Sequence, residues 1–145
     1  MASKKAFPLR SGKSGDGALD GWLDLIPRLL KSEVYTPTLF NTTNLTDSTA
    51  AQCMYVRIGN LVIVGLRFSA NPSLVAPTAT ELGVSLPIPS TFTANTDATG
   101  SVAQSAAQQS GRVSADTTNH RFSVQWSATD AANAAWGGFA MYIIK

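Results

Sequence analysis

The sequence predicts an all-β fold, an antiparallel β-sandwich or jelly-roll-like barrel that carries an N-terminal arm. Three observations support this prediction. Apolar and polar residues alternate along several segments, clusters of turn-forming residues separate these segments, and no helical pattern lies between them. With 145 residues, the chain has the size of one domain, so we expect a single hydrophobic core.

The distribution of charged residues changes near residue 34. Residues 1–34 contain six basic and four acidic residues, whereas residues 35–145 contain five of each sign. We therefore interpret residues 1–34 as an arm and residues 35–145 as the β-body. The net charge of +2 is too small to indicate a nucleic-acid interface or a polybasic membrane anchor. The longest aliphatic run, Leu61 to Leu66, is too short to cross a bilayer as a helix.

The arm contains a glycine-rich connector at residues 11–17, followed by apolar residues at helical spacing. This spacing predicts a short amphipathic helix around residues 18–31, which Pro27 is expected to stop or kink. An apolar stripe of this kind must be buried, either against the β-body or against another protein. The predicted partner-binding residues are Phe7, Pro8, Arg10, Trp22, Leu23, Ile26, Leu29 and Leu30.

In the β-body, alternation predicts a hairpin in which residues 54–58 and 62–68 flank a turn at Gly59-Asn60. Further strands are expected at residues 121–126 and 139–144, because apolar residues recur there at every second position. Residues 101–110 are ambiguous, because their Ala and Gln residues would suit a helix whereas their place between predicted strands favours an edge strand or a long loop. Shorter candidate strands are residues 36–40 and 82–86, with one or two more between residues 100 and 113.

Few side chains are suited to catalysis. His120 is the only histidine and Cys53 the only cysteine, and the five carboxylates of the β-body stand singly in separate segments. We expect His120 to be structural and Cys53 to be buried, although a nucleophilic pair formed by the two is conceivable. The sequence therefore predicts no catalytic residue, no cofactor and no metal site.

Five segments of the β-body carry a family resemblance. They are YTPTL and NTTN at residues 35–39 and 41–44, MYVRIGN at 54–60, ELGVSLP at 81–87 and FAMYII at 139–144. Together they resemble a β-rich domain of tailed-bacteriophage virion proteins, and the resemblance covers roughly residues 35–145 and leaves the arm outside. Such domains are small β-sandwich or jelly-roll modules of capsid decoration (cement) proteins and of fibre tips, and no catalytic residues accompany the resemblance.

The resemblance implies a virion structural protein that is assembled in the host cytoplasm. A short chain with an arm and one β-body suits a cement protein, and no sustained heptads indicate the coiled-coil shaft of a fibre. The resemblance, together with the symmetry that is usual in oligomers, implies a homotrimer that docks on the major capsid protein. We expect no nucleic-acid or membrane partner. The alternative is a tail-fibre or head-fibre tip that binds a receptor or carbohydrate, in which exposed aromatic residues such as Tyr55 or Trp136 stack on sugar rings. A tryptophan such as Trp136 is nevertheless more often part of a core or of a buried interface.

Overall fold

The computed structural model describes residues 30–74, 77–104, 106 and 108–145. Within these residues the chain forms ten strands in one antiparallel sheet, which confirms the all-β class. The same residues contain no α-helix, and their one helical element is a 3-10 turn at Asn95–Asp97. The strands are β1 (Leu30–Tyr35), β2 (Leu39–Thr43), β3 (Leu45–Ala50), β4 (Cys53–Ile58), β5 (Leu61–Pro72), β6 (Thr78–Val84), β7 (Ala98–Gln104), β8 (Gln109–Asp116), β9 (Arg121–Ala128) and β10 (Ala134–Ile143).

The sheet curls until its two ends meet along one stretch of chain. Its strand order is β1-β4-β5-β10-β7-β8-β9-β6-β2, and β3 pairs with β5 beside β4. Since only Asn44 separates β2 from β3, the chain passes there from the β6 edge to the β5 edge. A bend at which the chain changes its pairing partner commonly forms a corner of a curled β-sheet.

Asn44 makes this corner possible. Its φ of 55° lies in the left-handed region, which asparagine tolerates better than most residues. Its side chain binds both neighbouring segments: Nδ2 donates to the Leu74 carbonyl at 3.0 Å and to Thr80 Oγ1 at 2.8 Å, and Oδ1 accepts from the Leu74 N–H at 2.8 Å. The side chain therefore fixes the bend to β6 and to the segment that follows β5.

The core lies inside the curl. Residues of β5 alternate between the core and the outside, because successive side chains of a strand point to opposite faces. At one end of the core, the Trp136 ring stacks on Phe68 and contacts Trp126, with centroids 6.2 and 4.8 Å apart. At the other end, the Tyr142 ring packs edge-on against Phe92 and Phe122. These aromatic contacts join β5, β9 and β10 to the long loop that follows β6.

Most of the predicted strands are confirmed. The hairpin is present as β4 and β5 around Gly59-Asn60, with Gly59 at a φ of 60°. The ambiguous residues 101–110 contain the end of β7, a turn and the start of β8. The expected arm and helix at residues 1–29 lie outside the described residues. Residues 30 and 31, at the end of the expected helix, are strand, so the sheet begins upstream of the predicted boundary at residue 35.

The loop between β6 and β7 is fixed by the C-terminal residues. The Tyr142 hydroxyl donates to the Ile88 carbonyl at 2.7 Å and accepts from the Ile88 N–H at 3.2 Å, and burial raises the pKa of Tyr142 to about 12. Ser90 Oγ donates to the Ile143 carbonyl at 3.1 Å. Lys145 Nζ lies 2.7 Å from Asp97 Oδ2. The C-terminus therefore holds this loop along its length.

Asp97 should make this loop sensitive to acid. The hydrogen bond from Lys145, together with those from the Thr93 and Ala94 N–H groups, lowers the pKa of Asp97 below its ordinary value. A lowered pKa in the folded state adds stability above the unfolded-state pKa of about 3.9, and this stability is lost as the pH falls through the folded-state value. We expect the urea midpoint to fall on acidification below about pH 4, and to fall less steeply in Asp97→Asn. Equal slopes for the two proteins would contradict this role.

Candidate functional site

On the outward side of β1, β4, β5 and β10, nine apolar residues lie together next to polar residues such as Ser32 and Arg67, and we call these nine residues the apolar face. Strand register aligns its side chains in three rows, because residues paired across antiparallel strands share a face. Strand alternation separates these residues from the core residues of the same strands. The rows are Val34, Met54 and Phe139, then Val56, Ile63 and Met141, then Ile58, Leu61 and Ile143.

Five of the nine side chains of this face are exposed, and the other four, those of Val56, Leu61, Ile63 and Met141, are half-buried. Met54 is 60% exposed, Val34 57% and Phe139 47%, and Ile143 and Ile58 are 48% and 44% exposed. Single exposed apolar residues are common on protein surfaces, but a contiguous patch typically marks a site of interaction. The apolar face is therefore the strongest candidate for a functional surface.

A trough crosses the first row of the apolar face. It has a volume of about 460 Å³, and its lining includes Val34, Met54, Gly65, Gly137 and Gly138. Gly65 occupies the position between Met54 and Phe139 without a side chain. A Cβ atom at Gly137 would meet no atom within 4 Å, so the trough is open there. The lining also includes the polar residues Gln52 and Arg67, so the trough borders both apolar and polar side chains.

Cys53 lies beneath the trough. It is buried, its Sγ accepts a hydrogen bond from the Arg67 N–H at 3.2 Å, and burial raises the pKa of its thiol. His120 makes a different contact, since its Nδ1 accepts a hydrogen bond from the Phe92 N–H at 3.2 Å. The two side chains thus bind separate parts of the backbone, as expected for structural residues. In the described ranges, no three His, Cys, Asp or Glu residues form a group suited to a metal ion.

The opposite side of the body is polar. On the outer side of β6, β8 and β9, a chain of hydrogen bonds runs from Arg112 to Glu81, and we call it the polar row. Arg112 Nε and Nη2 donate to Gln125 Oε1 at 3.0 and 2.5 Å. Gln125 Nε2 donates to Ser123 Oγ at 2.9 Å, and Ser123 Oγ donates to Glu81 Oε1 at 2.8 Å. A cleft of about 520 Å³ lies beside the row.

Arg121 lies beside the polar row in a second set of contacts. Its Nε lies 2.9 Å from Asp116 Oδ2, and its guanidinium carbon lies 4.5 Å from the centroid of the Phe40 ring. The guanidinium also covers Gly83, where a Cβ atom would come within 2.6 Å of Arg121 Nε. Gly83 therefore gives Arg121 the space to lie flat on the sheet. These side chains are therefore held in place by one another.

The aromatic residues expected to stack on sugar rings lie in the core. Tyr55 is 6% exposed and Trp136 is 4% exposed, and Trp136 packs between Phe68 and Trp126. The expectation that either residue forms an exposed sugar platform is therefore wrong. Trp136 is buried because it lies on the side of β10 that points into the curl. The buried residues on this side are Ala134, Trp136, Ala140 and Tyr142.

The predicted partner-binding residues lie almost entirely outside the described part of the chain. This applies to Phe7, Pro8, Arg10, Trp22, Leu23, Ile26 and Leu29, whereas the backbone of Leu30 begins β1 and pairs with Ile58 of the apolar face. The apolar face itself was not predicted from the sequence. One signal could have indicated it: Leu61 to Leu66 is an almost continuous aliphatic run, which is typical of a strand covered on both sides.

Comparison with protein-family models and with curated proteins finds no match to the chain. In the part of the chain that the structure describes, no helix has the length and apolar character needed to span a membrane.

Proposed function

We propose that the chain is a non-enzymatic virion structural protein, a capsid decoration protein that docks on the major capsid protein. In this proposal the apolar face and the N-terminal segment that leads into it form the attachment surface. The observation that carries the proposal is the apolar face, with nine apolar side chains in three aligned rows. A surface of this kind favours contact with protein, because burying it removes apolar area from water.

A rigid sheet suits this task. The side chains of the apolar face belong to four hydrogen-bonded strands, so little conformational freedom is lost when the face binds. Three copies around a symmetry axis of the shell would each contribute one such face. Multivalent attachment then makes modest individual contacts strong in sum, which is how a decoration protein stabilises the boundaries between capsid subunits.

Met54→Asp tests the proposal on the particle. Met54 is the most exposed residue of the apolar face, so the substitution should leave the fold intact while placing a charge in the interface. We expect its affinity for particles that lack the protein to fall by about tenfold or more, which corresponds to ~1.4 kcal/mol. Cosedimentation with particles measures the affinity, and thermal disruption of the particles measures the stabilisation.

Leu74→Asp is the matched control. Leu74 is 63% exposed and lies outside the apolar face, so it receives the same charge at an equally accessible position. We expect it to bind particles as the unchanged protein does. If both variants bind equally well, the apolar face is not the attachment surface. If the unchanged protein does not bind particles, the decoration function is excluded.

A further inference from the structure

We infer that the polar row forms the floor of a binding site for a neutral oligosaccharide. This site lies apart from the apolar face and serves a function other than attachment to the capsid. Polar side chains are aligned there across five neighbouring strands, β7, β8, β9, β6 and β2. Strand register pairs each of them with the next, in the order Ser101, Arg112, Gln125, Glu81 and Thr43.

These five side chains lie on the outer side of the curl. Paired residues of neighbouring strands share a face, and each of the five is exposed or half-buried. The next residues along β6, β7, β8 and β9 point into the core, because successive side chains of a strand alternate between its two faces. These core residues are Leu82, Val102, Val113 and Val124.

The centre of this line is held in place before any ligand binds. Gln125 Oε1 accepts two hydrogen bonds from Arg112, at 3.0 and 2.5 Å, and Gln125 Nε2 donates to Ser123 Oγ at 2.9 Å. Ser123 Oγ in turn donates to Glu81 Oε1 at 2.8 Å. Because these contacts already restrict the side-chain rotamers, little conformational entropy is lost when a ligand binds.

The line retains hydrogen-bonding capacity of both kinds. An arginine has five N–H donors, of which Arg112 uses two for Gln125, and the others make no hydrogen bond within the described residues. Glu81 Oε2 likewise accepts no hydrogen bond from those residues. Hydroxyl groups suit a surface with both donors and acceptors, because each hydroxyl donates and accepts. The opposite charges of Arg112 and Glu81 favour a ligand without net charge.

The dimensions suit a short chain of sugars. Neighbouring strands lie about 4.8 Å apart, so a line across five strands extends over about 19 Å. This strand spacing is close to the length of one sugar residue. Two clefts of about 520 and 190 Å³ share Glu81, Arg112 and Gln125 in their linings. The lining of the larger cleft also includes Pro77 and Ala79, which suit the C–H groups of a sugar ring.

The site stays open when the apolar face is occupied. Trp126 of β9 and Trp136 of β10 meet across the core with ring centroids 4.8 Å apart, and Phe122 of β9 meets Tyr142 of β10 at 5.5 Å. The outer sides of β9 and β10 therefore point in opposite directions. A chain attached through its apolar face thus presents the polar row to the solvent.

Gln125→Ala tests the site in the isolated full chain. The labelled protein is applied to an array of neutral and acidic oligosaccharides, and titration calorimetry then measures the affinity for each neutral oligosaccharide that binds. We expect binding of neutral oligosaccharides, and Gln125→Ala should weaken it by about tenfold or more, because it removes the side chain that positions Arg112 and Ser123. Arg112→Lys keeps the charge but loses the planar fork, and should weaken binding severalfold.

Asn60→Ala is the matched control. It removes an exposed amide from the turn between β4 and β5, outside the polar row, and should leave binding unchanged. Urea unfolding of the variants checks that the fold is kept. The inference is overturned if no oligosaccharide binds, if only acidic ones bind, or if Gln125→Ala binds as the unchanged protein does. Because these measurements use the isolated protein, their failure is distinguishable from a failure to bind particles.

Discussion

Gly138→Ala is expected to lower the free energy of unfolding by about 3 kcal/mol. Gly138 and Gly100 lie on the paired strands β10 and β7, diagonally across the Phe139–Ser101 pair. A Cβ atom at Gly138 would lie 2.1 Å from the Ser101 carbonyl oxygen, and one at Gly100 would lie 2.1 Å from the Phe139 carbonyl oxygen. Both clashes involve backbone atoms, so relief requires the two strands to separate in the middle of the sheet.

Gly137→Ala is the matched control for this prediction. It adds the same methyl group one residue earlier in β10, where a Cβ atom would meet nothing within 4 Å. We expect its stability to be unchanged or slightly raised, because alanine reduces the freedom of the unfolded chain. Urea unfolding of the two variants measures the difference. Equal stability would show that β7 and β10 do not approach each other this closely.

The sequence indicated those strands whose signals are local. The β4–β5 hairpin combines alternation with a Gly-Asn turn, and β9 has an apolar residue at every second position. By contrast, β3 was not predicted. Its sequence is LTDSTA, and its place in the sheet depends on pairing with the distant end of β5 and on the bend at Asn44. Pairing with a distant strand does not require alternating apolar residues, so the sequence of β3 shows no such alternation.

The candidate site could not be located from the sequence because both sides of its strands are apolar. In β10, Phe139 and Met141 are at least as apolar as Ala140 and Tyr142, yet Ala140 and Tyr142 occupy the core. Alternation gives the period of a strand without showing which side faces inward. Here the choice depends on tertiary contacts, including the hydrogen bonds between the Tyr142 hydroxyl and the backbone of Ile88.

The polar row could not be predicted from the sequence either. Glu81, Arg112 and Ser123 come from three strands, and they meet only because β9 lies between β6 and β8 in a particular register. A single sequence does not reveal that register.

Trp136→Ala tests the assignment of the two sides of β10 and should have an effect as large as that of Gly138→Ala. Trp136 stacks on Phe68 and contacts Trp126, and it is 4% exposed. Removing a buried indole loses these contacts and leaves a cavity, at an expected cost of about 3–5 kcal/mol. Urea or thermal unfolding measures this loss, and a variant that is unfolded at room temperature agrees with the upper part of the range.

Phe139→Ala is the comparison within the same strand. Phe139 lies three residues further along β10, on the outward side, and is 47% exposed. We expect its removal to cost about 1 kcal/mol or less, while weakening attachment to the particle because the first row of the apolar face loses its aromatic ring. If Phe139→Ala destabilised the chain as much as Trp136→Ala, the outward side of β10 would belong to the core. The apolar face would then have no claim to be a binding surface.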